Sequence, residues 1–471
     1  MSNKFLGWLV AYGTICRLTQ YLAHRSLWVD EAKYAVKIMD YSYLQLLDPR
    51  VVISDPWTVK YETAGPLGFF QLSKFLTQCL GNSEYVLRLV PLTASIAALF
   101  LMVKLAKEHC TALGAAIAVL LFAIDTVLIT RSADFHPYAG DVAVTLLLFL
   151  ALQRVRTEGL KMKDVLSFGL LGAVALWFSI PSVFVLAGLG TALSIDFGIY
   201  KRKNALKPMF LVMGLWLLSF VIYYFGYLKV FSSNMLWGEE RFRNIFTDEP
   251  MRFDFWYLPA GFLLLGTAVL FLKNKMRFLY LCLPILFTFI AAMLGLYPFS
   301  GRLILFLVPV FYILIAQGVI AFKEILPKSA GPVFILVLLF LCGGPLLESA
   351  KRTVKPIYRE EIRPVIAKAK MLHRENDPLY IYAFAGPAFH YYAKRFGFNE
   401  GTCVYGVYHH GKPEIQLPEL NAIKGNRKVW IIYAHINNIE GRQFLAYLDH
   451  IGKKEYSYVQ PGAGLLLYDF K

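Results

Sequence analysis

About eleven apolar runs, each long enough or nearly long enough to cross a bilayer, decide what this chain of 471 residues can become. They cover roughly residues 4–22, 84–104, 111–129, 139–153, 165–179, 181–198, 208–229, 255–272, 278–296, 302–322 and 331–347. With 57% hydrophobic and 17% charged residues, there is too little polar surface for an ordinary soluble protein. The reading is a polytopic α-helical membrane protein. Two of the runs are short and meet at "FSIPSVF", where Pro181 cannot continue a helix. Residues 165–198 are therefore a tight hairpin or one kinked pass, and their length favours two passes.

The formal charge of +16 would signal a nucleic-acid partner only if it lay on one face of a soluble domain. Here the basic residues fill short gaps between apolar runs, so no nucleic acid is expected. Lys104 and Lys107, then Arg154, Arg156, Lys161 and Lys163, then Lys201, Arg202, Lys203 and Lys207, then Lys273, Lys275 and Arg277, then Lys323 and Lys328 occupy every second connection. Cytoplasmic loops retain Lys and Arg, so this alternation puts the N-terminus in the cytoplasm and the C-terminus outside.

Two outer segments are large. Residues 23–83 hold two amphipathic candidates, "DEAKYAVKIMDYSYLQLL" and "PLGFFQLSKFLTQCL", whose apolar faces suit the membrane surface. The tail from 350 to 471 alternates strand-like runs ("PLYIYAF", "KVWIIYAH", "GLLLYDF") with helical ones ("PAFHYYAKRF", "EGRQFLAYLDHIG"). The division expected is a membrane domain over 1–349 and a small extracytoplasmic α/β domain over 350–471. Of the cysteines, Cys16, Cys110, Cys282 and Cys342 fall in or beside apolar runs, and no CxxC spacing occurs. Neither a disulfide framework nor a structural metal is expected. The scattered glycines form no phosphate loop.

Chemistry concentrates in the outer loops. Asp30 and Glu31 follow the first span almost at once, at the depth of a lipid headgroup. Either they cap the helix that follows, where acids suit the macrodipole, or one of them acts as a general base. Arg17 lies in the last turns of the first span, where a central arginine would cost roughly 2.5–3.5 kcal/mol; it either snorkels outward or serves an anion. Arg25, Lys33, Lys60, Arg131 and Arg302 are further outer cations, together suited to a phosphate. The short loop "TRSADFHPYAGD" packs Asp134, His136, Tyr138 and Asp141 between two spans, as a hydrogen-bonded network or as part of a site. Asp134 and His136 alone make a poor metal site. Arg302 at the head of "GRLILFLVPV" is either an interfacial anchor or another phosphate ligand, with Tyr297, Pro298 and Gly301 pointing to a shaped turn.

Several blocks in register carry a resemblance: "RLTQYLAHRSLWVDEA", "KYETAGPLGFFQLSKFL", "GNSEYVLRLVPL", "SADFHPYAGD", "WFSIPSVFVLAG" and "YPFSGRLILFLVPV". In this order they resemble blocks of bacterial GT-C glycosyltransferases, the integral-membrane dolichyl-phosphate-mannose transferase-like proteins. These are distantly similar to protein O-mannosyltransferases and lipid A aminoarabinose transferases. The match covers residues 15–320 and, more weakly, the tail. It implies a multi-pass enzyme of the bacterial inner (plasma) membrane that moves a sugar, hexose or pentose, from a polyprenyl-phosphate carrier to a lipid, polysaccharide or protein acceptor outside. By that analogy Asp30 is the base with Glu31 in support, and Arg17, Lys60, Arg131, His136 and Arg302 bind the donor phosphate. Asp134, Tyr138 and Asp141 complete a second-loop polar cluster. His136 stands where relatives commonly show Lys, so a titratable cation replaces a permanent one. Ala64-Gly65-Pro66 stands where relatives show two prolines around one residue, a departure beside the acceptor groove.

No cofactor is implied, and metal dependence is left open: Asp30, Glu31, Asp134 and His136 gather around a divalent ion only if the two loops meet. A transporter or flippase of lipid-linked sugars is the alternative, but it favours internal repeats and midplane charge, whereas polar residues here collect in outer segments. A membrane-anchored assembly protein is a third reading, in which the tail alone would function and Asp30 would be dispensable.

Overall fold

The computed structural model describes residues 3–49, 65–158, 162–199, 203–232, 251, 255–374, 377–407, 428–436 and 439–470. They fall into two compact units. The first comprises Met1–Ala23, Ala64–Leu72 and Arg88–Pro356; the second comprises His24–Thr63, Ser73–Leu87 and Ile357–Lys471. The second unit therefore takes in the first connecting segment as well as the tail.

The first unit is helical. Its helices include Asn3–Leu22, Leu89–His109, Ala112–Ile124, Tyr138–Glu158, Met162–Phe178, Ser182–Ile199, Lys203–Tyr223, Tyr257–Lys273, Lys275–Met293, Val308–Ile325 and Gly331–Val354. Each apolar run of the sequence overlaps one of them. Among the described residues six helices are long and apolar enough to cross a membrane, and four more are apolar but shorter. The segment around Pro181 is two helices, closed by the Ser182 hydroxyl donating to the Ser179 carbonyl at 2.6 Å. Polar residues between runs stop and start helices: Thr111 Oγ1 accepts from the Gly114 N–H, and Asn274 Oδ1 from the Arg277 N–H.

The helix Val308–Ile325 lies at the centre of this unit, since 83% of the most apolar window of the span Gly301–Ile325 is buried, against 17% for that of Lys328–Val354. Small residues allow its closest contact. A Cβ on Gly318 would meet the Phe262 carbonyl, and one on Gly266 the Leu314 carbonyl, so the two backbones touch where both residues lack a side chain. On the outside, Leu211, Leu217, Leu264, Leu272, Ile335 and Leu339 are each more than half exposed. Large apolar side chains spread around a helical unit in this way call for lipid rather than water, and the protein is a membrane protein.

The second unit is built on a five-stranded sheet: β1 (Leu379–Ile381), β2 (Cys403–Tyr405), β3 (Lys428–Ala434), β4 (Lys453–Gln460) and β5 (Ala463–Asp469), in the order β2-β1-β3-β5-β4. β1 runs parallel to β2 and β3, while β5 is antiparallel to β3 and β4. β3 is central and buried from Val429 to Ala434, which is why it reads as a continuous apolar run rather than an alternating one. The helices Ile362–Leu372, Gly386–Phe396 and Ile439–Ile451 belong to this unit.

So does the helix Val29–Asp40. Its apolar face, expected on the membrane surface, packs inside the unit against Gly386–Phe396, with Ala32, Ala35 and Ile38 buried. Two ionic knots tie the early segment to the tail. His390 lies between Asp40 (Nε2–Oδ2 2.9 Å) and Glu400 (Nδ1–Oε2 2.7 Å). The buried Glu84 carboxylate receives Arg363 at 2.8 Å, Arg395 at 3.0 Å and the Tyr392 hydroxyl at 2.9 Å. Burial alone would raise the Glu84 pKa, but its own backbone N–H, Tyr392 and the two arginines hold it down at about 2.

Candidate functional site

In the membrane unit the second loop is anchored by Phe135, which is fully buried with its ring 5.2 Å from that of Phe69. Residues on either side then converge on one tyrosine. The His136 ring stacks on Tyr138 at 4.2 Å, the Arg131 guanidinium lies 5.5 Å from the same ring and the Arg302 guanidinium 5.7 Å from it. Arg131 and His136 of one loop and Arg302 from far along the chain thus share one aromatic platform. Arg131 also forms a buried ion pair with Asp134 at 3.0 Å. Arg302 is delivered by a turn that needs Gly301 in the left-handed region (φ 55°), closed by the Tyr297 hydroxyl donating to the Leu303 carbonyl at 2.7 Å.

Arg17 has a different setting. Its guanidinium is buried and donates to Ser95 Oγ at 2.7 Å and to the carbonyls of Gly13, Ala123 and Phe122 at 2.9, 3.3 and 3.4 Å. Ser95 and Phe122 also line a small cavity with Arg131 and Tyr138, so Arg17 stands behind the wall of that cavity. Asp141, in the first turn of Tyr138–Glu158, is buried, and among the described residues its Oδ1 and Thr145 Oγ1 have no hydrogen-bond partner, while Ser179 faces Asp141. Such a group in an apolar unit calls for water or a polar ligand. Lys60 and Ala64 lie outside the described residues; Gly65 and Pro66 are buried.

Asp30 and Glu31 belong to the second unit, and their roles separate at once. Glu31 is buried and accepts from the Trp28 N–H at 3.4 Å, the reciprocal half of a capping box at the start of Val29–Asp40. Asp30, one position earlier, is half-buried.

A polar run of the tail grips the residues that lead into Asp30. The Arg359 guanidinium lies 4.9 Å from the Trp28 ring. Glu360 Oε2 accepts from the Val29 N–H at 2.9 Å, and the Glu361 carboxylate accepts from the Ser26 N–H and hydroxyl at 3.1 and 3.0 Å. Arg363 donates to the His24 carbonyl at 2.6 Å. Glu360 Oε1 in turn lies 2.6 Å from His435 Nδ1. His435 sits just past β3 in the left-handed region at φ 59°, a conformation costing a non-glycine residue about 1–3 kcal/mol. Its backbone N–H donates to the Gly462 carbonyl at 3.0 Å. Burial depresses its pKa, but Glu360 and then Asp30 outweigh that and raise it, against Lys33.

None of Arg359, Glu360, Glu361, Arg363 or His435 stands out in the sequence as a site residue. The available signal was the charged run "YREEIRP" directly after the last span, charge that an outer domain needs to justify. Among the described residues no group of three or more His, Cys, Asp or Glu side chains is arranged to hold a metal ion.

Helices of this order with a sheet unit share their fold with solved membrane-protein structures of two kinds. Among solved structures the chain is similar to ArnT from Cupriavidus metallidurans bound to undecaprenyl phosphate, with a TM-score of 0.53, 11% identity and 98% of each chain covered. It is also similar to the Archaeoglobus fulgidus oligosaccharyltransferase tethered with an acceptor peptide, with a TM-score of 0.57, 13% identity, and 100% of this chain and 74% of that one covered. A third likeness, at a TM-score of 0.55 and 13% identity over 100% of this chain and 74% of the other, is to archaeal AglB from Archaeoglobus fulgidus in complex with an inhibitory peptide and a dolichol-phosphate. No protein-family model and no curated protein sequence matches the chain.

Proposed function

We infer that this protein is a glycosyltransferase that moves a sugar, hexose or pentose, from a polyprenyl-phosphate carrier to a lipid, polysaccharide or protein acceptor on the outer face of the bacterial inner membrane. The observation that carries the reading is the gathering of Arg131, His136 and Arg302 on Tyr138 in a membrane unit, an arrangement suited to an anionic headgroup tethered to lipid. The likeness in fold to structures that contain undecaprenyl phosphate and dolichol-phosphate supports the same donor class.

In this reading Asp30 takes the proton of the attacking acceptor hydroxyl as its oxygen bonds to the anomeric carbon. The bond from that carbon to the phosphate oxygen breaks, and the electron pair leaves with the lipid phosphate. The cation group stabilises the charge that develops there, so no general acid is required. Arg17 buttresses the wall and Glu31 fixes the helix that carries Asp30. Asp134 orients Arg131, while Asp141 offers a hydrogen-bond acceptor to a sugar hydroxyl.

The experiment is mass spectrometry of lipid-linked sugars and envelope glycans in a deletion strain, complemented with the wild-type chain or with Asp30→Asn. A sugar that disappears on deletion and returns only with the wild type is expected. An unchanged glycan profile, or equal rescue by the variant, removes the transferase reading and leaves transport of lipid-linked sugars in its place.

A further inference from the structure

Asp30 needs an environment that keeps its carboxylate anionic and aimed, and the tail supplies one. Glu360 is shared between the backbone N–H of Val29, the residue before Asp30, and the imidazole of His435. His435 is therefore held one carboxylate away from the start of the helix on which Asp30 sits. Its backbone is kept in an unfavourable conformation by the Gly462 carbonyl, and its ring is backed by Phe384 at 5.2 Å. Gly462 has a positive φ of its own (66°) and lies against the Arg359 carbonyl with no room for a Cβ. The β4–β5 turn, residues 359–361 and His435 thus form one interlocked support. Among the described residues, Glu360, Asp30 and Lys33 are the charged groups that act on the His435 ring.

We propose that His435, fixed by Glu360, is a positioning residue for Asp30: through the carboxylate that also takes the Val29 N–H it braces the start of the helix, keeps Asp30 ionised and keeps it aimed at the acceptor hydroxyl. This rests on the reading of Asp30 as the base. His435 does not touch the reacting atoms in this scheme. It sets the charge state of the group that does, and so ties the activity of the membrane enzyme to a folded tail.

The test reads protonation directly. In the full-length protein in lipid nanodiscs, pH-titrated infrared difference spectra, with Asp30→Asn identifying the carboxyl band, give the midpoint of Asp30. His435→Asn is the variant of choice because Asn tolerates the left-handed region. The proton affinity of Asp30 is expected to rise about three- to tenfold, the size of a neighbouring charge in a half-solvated setting, and His435→Lys, which keeps the cation, to hold it near wild type. Coupling is reciprocal, so in Asp30→Asn the His435 ring, followed by NMR of labelled histidine, loses proton affinity by a similar factor. That second measurement stands even where His435→Asn does not fold. An Asp30 midpoint within twofold of wild type in His435→Asn, or a His435 titration unmoved in Asp30→Asn, overturns the proposal. Neither measurement uses donor or acceptor: coupling found in a chain that transfers no sugar upholds the pairing and removes the transferase reading alone.

Discussion

Raising the pH through 9 is expected to loosen the second unit, and one side chain accounts for it. His390 hydrogen-bonds Asp40 through Nε2 and Glu400 through Nδ1, so both nitrogens must carry protons to donate to both carboxylates. Burial pulls its pKa down, but the bonds to Asp40 and Glu400 and their charge outweigh this and lift it from the usual 6.5 to about 9. A raised folded pKa means that the folded chain holds a proton the unfolded chain releases. The stabilisation is complete below pH 6.5, declines above it and is gone once pH exceeds about 9. The shift corresponds to about 3 kcal/mol, and with His390 one-fifth exposed, solvent screening leaves about 2–3 kcal/mol. The assay compares thermal unfolding of the wild type and His390→Gln, in one detergent and at one scan rate, from pH 6 to 10. The wild type should be the more stable at pH 6, with the difference shrinking toward zero by pH 10. A difference that stays constant across that range would refute the argument, because the loss would then owe nothing to the proton.

Gly318→Val places a side chain where the Phe262 carbonyl already is, and should force apart the helices Tyr257–Lys273 and Val308–Ile325 at a cost of about 2–3 kcal/mol. An unchanged melting temperature in detergent would show that the backbones do not meet there. Arg131→Ala strips the charge partner from the buried Asp134 and should cost about 3–5 kcal/mol, whereas Arg131→Ala with Asp134→Ala should cost less than the single change. Additive losses in that double-mutant cycle would contradict a coupled pair.

The helices were legible because lipid imposes a local rule: each span must satisfy its own backbone, so twenty or so apolar residues announce themselves. The same locality exposed Asp30, Asp134, His136 and Tyr138, which sit in short segments beside spans. The convergence of Arg131, His136 and Arg302 on one ring was not legible, since Arg302 arrives from a turn far along the chain. Nor was the fate of the helix Val29–Asp40. Its amphipathic pattern states that one face is buried but not against what, and Gly386–Phe396 takes the place given to lipid. The grip of Arg359, Glu360 and Glu361 on Trp28, Val29 and Ser26 was not legible either, because a charged run in the tail reads as solvated surface until its partners, more than three hundred residues away in sequence, are known.

That separation has a consequence for how the chain matures. The helix Val29–Asp40 is made before Leu89–His109 and the helices after it, yet the groups that grip its start are made only after Gly331–Val354, and His435 later still. Until then the Val29 N–H at the helix start lacks the Glu360 carboxylate that receives it. Contacts of such long range form late and slowly. A half-made or truncated chain can therefore hold every helix of the first unit while the start of Val29–Asp40 still lacks the groups that fix it.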